Sequence, residues 1–161
     1  AAPEPLIVAL DEVTDPQNLG AIARTAEAVG ATGVVIPERR SAEVTAAVCK
    51  ASAGAVEHLP VARVRNLADF LAAAKAAGCW CYGASAEGGD PYLSPDYSGG
   101  CVLVIGAEGR GLRPRVASAC DQLVEQLRCF GLRSVRGLLG RGRLYPERTR
   151  RAGLASRRAR A

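Results

Sequence analysis

Methionine is absent from this chain of 161 residues, and histidine occurs once, as His58. A single imidazole is a poor basis for a metal centre, because zinc and its neighbours draw on several His or Cys ligands. Aromatic residues make up only 4% of the chain, with one Trp and two Phe, so no platform for stacking nucleic-acid bases is evident. No apolar run reaches the roughly 18–20 residues that a membrane-spanning helix needs. The N-terminus also lacks the basic and apolar regions of a secretory signal, so a cytoplasmic location is expected. The chain opens directly on the strand-like run Leu6-Ile7-Val8-Ala9-Leu10, as an excised catalytic domain would whose N-terminal part is missing.

What is present describes a soluble globular chain, 48% apolar and 23% charged. Its length suits one domain with a proper core. The net charge of +5 hides two regions. Residues 1–127 carry 10 Lys/Arg against 15 Asp/Glu, a net of −5, whereas residues 128–161 carry 11 Arg against one Glu, a net of +10. The first region reads as the folded domain. The second, rich in Arg, Gly and Leu, keeps no helical or strand period and is expected to be a disordered or poorly packed basic tail. Among the six cysteines (Cys49, Cys79, Cys81, Cys101, Cys120, Cys129) only Cys79 and Cys81 lie close together. Their spacing is wrong for a zinc knuckle, so the cysteines read as reduced core thiols and no metal is expected.

Strand and helix signals alternate along residues 1–127. Leu6–Leu10 predicts a strand, and a helix follows from about Asn18 to Val29, ended by Gly30. Gly33–Pro37 predicts a second strand, and Ser41, with Glu43 nearby, a cap for a helix running toward Ser52. Val56–Pro60 reads as a short strand, Leu67–Ala77 as an Ala-rich helix ended by Gly78, and Cys79–Ala84 as a strand with Trp80 in the core. After a polar loop, Cys101–Ile105 reads as a strand buried on both faces, Pro114–Ala119 as a helix, and Gln122–Val124 as the start of a last strand. Short apolar strands separated by helices predict an α/β fold, a parallel sheet covered by helices on both faces. Ligands of such sheets bind at the carboxyl ends of the strands.

Two stretches begin at strand ends of this kind. In Asp15-Pro16-Gln17-Asn18-Leu19-Gly20-Ala21-Ile22-Ala23-Arg24-Thr25-Ala26, Asp-Pro favours a turn, and Asn18 falls at the expected helix N-cap. Arg24, facing a cleft, can grip a phosphate or ribose oxygen with forked hydrogen bonds. The same stretch also reads as a capped helix with a solvated arginine. In Ile105-Gly106-Ala107-Glu108-Gly109-Arg110-Gly111-Leu112, the pattern fits neither a Walker loop nor a dinucleotide fingerprint. Its three glycines expose backbone amides that a ligand can approach, and Glu108 reads as buried beside them. A nucleoside with a cationic sulfonium suits such a loop, as does the blander reading of a glycine turn.

Together these stretches resemble the first two motifs of the SpoU (TrmH-like) family of RNA ribose 2′-O-methyltransferases, and the resemblance runs from about Leu6 to Val124. Gly33–Pro37 and Ser52-Ala53-Gly54-Ala55 fit it as well. Within the family the chain is most similar to bacterial enzymes that methylate a guanosine ribose in large-subunit rRNA. The resemblance implies a SPOUT fold with a deep trefoil knot near the C-terminus, S-adenosylmethionine held by the knot loops, an RNA partner (rRNA or tRNA), and a homodimer whose site draws on both subunits. It makes 1–127 the methyltransferase domain. Carried over by motif, Arg24 is the catalytic arginine, Asn18 helps shape the site, and Glu108 is the acid of the second motif. Ile105, Gly106, Glu108, Gly109 and Leu112 then line the cofactor pocket, with Ala84 and Ser85 at another strand end and Val124 on the approach to the third motif. The single His58 is given no catalytic role.

The family's third motif, Ile-Pro-Met followed by Ser-Leu-Asn, supplies a Ser and an Asn to the site and closes both pocket and knot. Cys120-Asp121-Gln122-Leu123-Val124 matches the approach to it, and Glu125-Gln126-Leu127-Arg128-Cys129-Phe130 departs from it. A frameshift near Glu125 accounts for such a departure. Tyr145-Pro146-Glu147-Arg148 back-translates as TAY-CCN-GAR-CGN, and reading one base later permits Thr-Leu-Asn. A non-catalytic RNA-binding or assembly protein on the same scaffold, holding phosphates through its arginine tail, stays open beside the enzyme. So does a generic nucleotide-binding α/β domain.

Overall fold

Six short strands form one wholly parallel sheet in the computed structural model, which describes residues 4–85, 88–92 and 94–125. In chain order the elements are β1 (Leu6–Asp11), α1 (Pro16–Ala28), β2 (Gly33–Pro37), α2 (Ala46–Ala51), a 3-10 turn (Ala55–Glu57), β3 (Val61–Val64), α3 (Leu67–Ala76), β4 (Trp80–Ser85), β5 (Cys101–Gly106), α4 (Pro114–Ala119) and β6 (Gln122–Glu125). The spatial order is β3-β2-β1-β5-β4-β6. Strand order therefore reverses between β1 and β5, the position where parallel sheets open a crevice at their carboxyl ends.

The strands are apolar because both faces are covered. Leu6, Val8 and Leu10 of β1 pack with Leu19, Ile22, Ala23 and Ala26 of α1 on one side. On the other, Ala9, Val35, Cys81, Val102 and Val104 pack with Leu67, Leu71 and Ala74 of α3 and with Val116 of α4. Alternate residues of one strand thus serve opposite layers.

Several boundaries differ from the sequence reading. Helix α1 starts at Pro16, with Asp15 as N-cap accepting from the Gln17 amide at 2.9 Å. Pro16 is preformed for the first helical position and Asp15 before it caps as well as Asn would, so the helix starts there and Asn18 lies inside the first turn. The exit is as read: Gly30 takes φ 76°, and the Gly30 and Ala31 amides close back on the Glu27 and Ala26 carbonyls. Helix α2 begins after Thr45, not Ser41. The Ala42 amide is spent on the Val13 carbonyl, which ties the loop after β2 to the loop after β1. The expected strand at Val56–Pro60 is a 3-10 turn, and the strand is Val61–Val64 instead. Gly54, at φ 83°, lets the chain turn there, and pairing with β2 starts where the Val34 amide reaches the Pro60 carbonyl. Trp80 is 54% exposed rather than core. It stands at the amino end of β4, stacked on Tyr82, two residues before β6 begins to pair.

The boundary at residue 127, the arginine tail, Cys129, the altered third motif and the knot lie outside the described residues. Among the described residues no helix is long and apolar enough to cross a membrane, and no cluster of His, Cys, Asp or Glu has the arrangement of a metal site.

The five described cysteines are free; Cys81 and Cys101 are buried, and Cys49, Cys79 and Cys120 are half-buried. Burial pushes the Cys81 and Cys101 thiols up from 9.0 to about 12 and the Cys120 thiol to about 11. Below pH 9 these thiols are protonated in folded and unfolded chains alike, and their contribution to stability is complete. From about pH 9 toward about pH 12 the unfolded chain gives up protons that the fold retains, so stability falls. The melting temperature is therefore expected to drop by about 5 °C or more between pH 8 and pH 10.5. A flat profile in scanning calorimetry would contradict this account of the thiols.

Candidate functional site

The loops after β1 and β5 leave the sheet side by side, because Asp11 and Gly106 are paired at the last position of the β1–β5 ladder. The first loop runs into α1, whose first turn carries Asn18. The second is the glycine-rich loop, whose tip carries Glu108. Asn18 Nδ2 donates to Glu108 Oε2 at 3.3 Å, joining residues 90 positions apart. Glu108 is exposed rather than buried, and Asn18 is half-buried. The acid stands at the tip of the loop that leaves the carboxyl end of the interior strand β5.

Arg24 is not part of this pair. It lies six residues beyond Asn18 on α1, about 9 Å further along the axis and roughly 120° round it. Its side chain is exposed and makes no ion pair among the described residues. His58 is also exposed, at the end of the 3-10 turn.

The glycine-rich loop is rigidly built. The Ala107 amide donates to the Gly111 carbonyl at 3.1 Å and the Gly111 amide to the Ala107 carbonyl at 2.8 Å. The return chain presses so closely on Gly106 that a Cβ there would lie 2.1 Å from the Gly111 carbonyl carbon. Gly106 therefore holds the loop's fold. Two residues that the sequence did not single out anchor it. Asp11, fully buried at the end of β1, accepts from the Arg113 amide at 2.8 Å and from Arg113 Nε at 2.8 Å, with Nη2 2.6 Å away. The hydrogen bond to Asp11 pushes the Arg113 guanidinium up, against a smaller opposing effect of burial. The only signal in the sequence was an acid closing an otherwise apolar strand.

Beside this loop, at the carboxyl ends of β4 and β6, lies a cavity of about 260 Å³. Ala84 and Ser85 form one wall, Gly109, Arg110, Gly111 and Leu112 a second, and Ala117 of α4 and Leu123 of β6 the floor. Ala84, Ser85, Gly109 and Leu112 are pocket residues of the sequence reading. Ile105 and Val124 instead sit in the core, 5% and 0% exposed, and Gly106 lies behind the loop. β6 ends at Glu125 beside the cavity, and the chain continues into residues outside the described set.

A parallel α/β sheet with a braced glycine-rich loop, and a small cavity of mixed lining next to its switch point, has the build of a ligand-binding α/β domain. More narrowly, the chain belongs to the SpoU rRNA Methylase family, whose sequence profile matches residues 5–125. It is 48% identical over 122 residues to YacO of Bacillus subtilis, whose name assigns it to the TrmH family of tRNA/rRNA methyltransferases. It is 44% identical over 121 residues to the 23S rRNA (guanosine-2′-O-)-methyltransferase RlmB of Pseudomonas putida. These matches take in 76% and 75% of the chain but only 49% of each relative, so the chain spans about half the length of these relatives. Among solved structures, an S-adenosylmethionine-bound rRNA methyltransferase from Sinorhizobium meliloti superposes with a TM-score of 0.76 at 31% identity, over 85% of this chain and 55% of that one.

Proposed function

We propose that this domain, within its whole protein, transfers a methyl group from S-adenosylmethionine to a ribose 2′-hydroxyl of RNA, with a guanosine of rRNA as the preferred target. The observation that carries this reading is the meeting of the two family motifs at the sheet's switch point, Asn18 on Glu108, beside the cavity. The cavity fits an adenosyl group in kind. It offers the backbone amides of Gly109 and Arg110 for hydrogen bonds, those of Ala107 and Gly111 being paired with each other, and Ala84, Leu112 and Leu123 as apolar lining. Its volume of about 260 Å³ lies just below the usual range for a ligand pocket.

When bound, S-adenosylmethionine supplies an electrophilic sulfonium methyl. The chain's own residues must then present the nucleophile. A ribose hydroxyl is weakly acidic, so orientation and stabilisation of the developing oxyanion carry most of the catalysis. Arg24 serves as a clamp on the phosphate beside the target ribose and on the 2′-oxygen as charge builds there. A guanidinium that holds its proton above about pH 12 is a poor base, so the hydroxyl proton passes to a phosphate oxygen or to water. Asn18 and Glu108 hold the polar rim of the site. The separation of Arg24 from them along α1 accords with a homodimer in which one subunit's arginine meets the RNA substrate held at the other's site.

Incubation with tritiated cofactor and bacterial rRNA, followed by nucleoside mass spectrometry, tests the reading. It predicts 2′-O-methylguanosine. RNA binding without label, lost at moderate salt and on removal of residues 128–161, would instead favour the non-catalytic scaffold.

A further inference from the structure

Both ends of the glycine-rich loop are held by one residue. The backbone of Asp11 pairs with Gly106, where the loop leaves β5, and its carboxylate grips Arg113, where the chain enters α4. Between those points the Ala107–Gly111 pair braces the loop, and Gly109 to Leu112 form a wall of the cavity. Neither Asp11 nor Arg113 lines the cavity themselves. Glu12, at φ 57°, widens the same anchorage, since its Oε1 lies 3.7 Å from Arg113 Nη1 and 3.3 Å from Arg40 Nη1. The loops after β1, β2 and β5 are thereby tied together by charge.

We propose that Asp11, acting through Arg113, is the positioning residue of the cofactor pocket: it seats the Gly109–Leu112 wall before any ligand arrives. This rests on the methyltransferase reading for the identity of the ligand, but not for the mechanics of the loop. A buried carboxylate engaging one backbone and two guanidinium donors is costly to leave half-paired. The arrangement therefore has one stable geometry, and the wall inherits it. Pre-organisation of this kind raises affinity by removing the ordering cost from the binding step.

The test is amide hydrogen exchange on the full chain, with and without S-adenosylmethionine, for Asp11→Asn, Arg113→Met and the double variant. Asp11→Asn keeps the shape and an acceptor while removing charge. Arg113→Met keeps the stem and the backbone bond. Each is expected to speed exchange of the hydrogen-bonded Ala107 and Gly111 amides about tenfold while β1, β2 and β5 keep their protection. Calorimetry should show Kd for S-adenosylmethionine about tenfold weaker, with kcat at saturating cofactor within about threefold. The double variant should match the singles, because both remove one clamp. Should Asp11→Asn fail to fold, Arg113→Met, whose side chain is 42% exposed, decides the matter by the same readout. Unchanged loop exchange, or exchange rising equally in loop and strands, overturns the positioning role. Absence of cofactor binding by the unaltered chain overturns the functional reading instead, and leaves the exchange result to judge the clamp.

Discussion

Arg24→Ala is expected to lower methyl transfer by about 10²–10³-fold, the cost of removing one pre-organised donor to a developing oxyanion. Cofactor affinity should change by less than about threefold, since Arg24 lies outside the cavity wall. The more discriminating variant is Arg24→Lys. A lysine keeps the charge but loses the planar fork that holds two oxygens at once. If the arginine is a clamp, Arg24→Lys should lose most of the rate while the pH profile stays where it was. If the arginine were the base, the profile would shift toward the lower pKa of the ammonium. Should Arg24→Lys keep most of the rate with an unmoved profile, no specific role for guanidinium is tenable. Mixing Arg24→Ala with a second variant defective only in the pocket adds a check on the dimer, because a shared site should regain activity in the mixed species.

Gly106→Ala should have the larger effect on binding. The added methyl would meet the Gly111 carbonyl carbon at 2.1 Å, its oxygen at 2.3 Å and the Leu112 amide nitrogen at 2.5 Å. All three are backbone atoms, so no side-chain rotation relieves the overlap and the return strand of the loop must move. That movement displaces the wall at Gly111 and Leu112 and pulls on the Asp11–Arg113 clamp. Overpacking of this kind costs about 1–3 kcal/mol, and S-adenosylmethionine affinity is expected to fall by about tenfold to a hundredfold. Gly109→Ala is the control within the same loop. Nothing lies within 4 Å of its added methyl, and only the φ of 80° is unfavourable, a cost of about 1–2 kcal/mol. Calorimetry and thermal melting should therefore rank Gly106→Ala well below Gly109→Ala in affinity. Equal affinities would mean that the loop does not form the pocket.

Much of this architecture is legible in the residues themselves. A strand covered on both faces must be apolar throughout, so Leu6–Leu10 and Cys101–Ile105 announce parallel pairing without any partner in view. The glycines that end α1 and α3 mark their exits because only a residue without Cβ takes positive φ cheaply. Residues whose position depends on distant partners are less legible. β3 has only four residues, two of them exposed, and its pairing rests on β2 rather than on a pattern of its own. Trp80 looks like core in one dimension and is exposed because β6 begins two residues further on. The site divides in the same way. Its two motifs stand out as local glycine and Asn/Arg patterns, whereas the contact that joins them spans 90 positions and the clamp that anchors the second loop spans 102. Asp11 escaped notice because a lone acid at a strand end has no meaning until Arg113 folds back onto it.

The proposed transfer depends first on cofactor binding by the loop after β5 and the end of β4. Titration of the purified chain with S-adenosylmethionine by calorimetry tests it most directly. Saturable heat with a micromolar-range Kd is expected, lost on saturation with S-adenosylhomocysteine and weakened about tenfold to a hundredfold by Gly106→Ala. No heat from a chain that melts cooperatively would contradict it, and would leave a family scaffold that does not hold the cofactor.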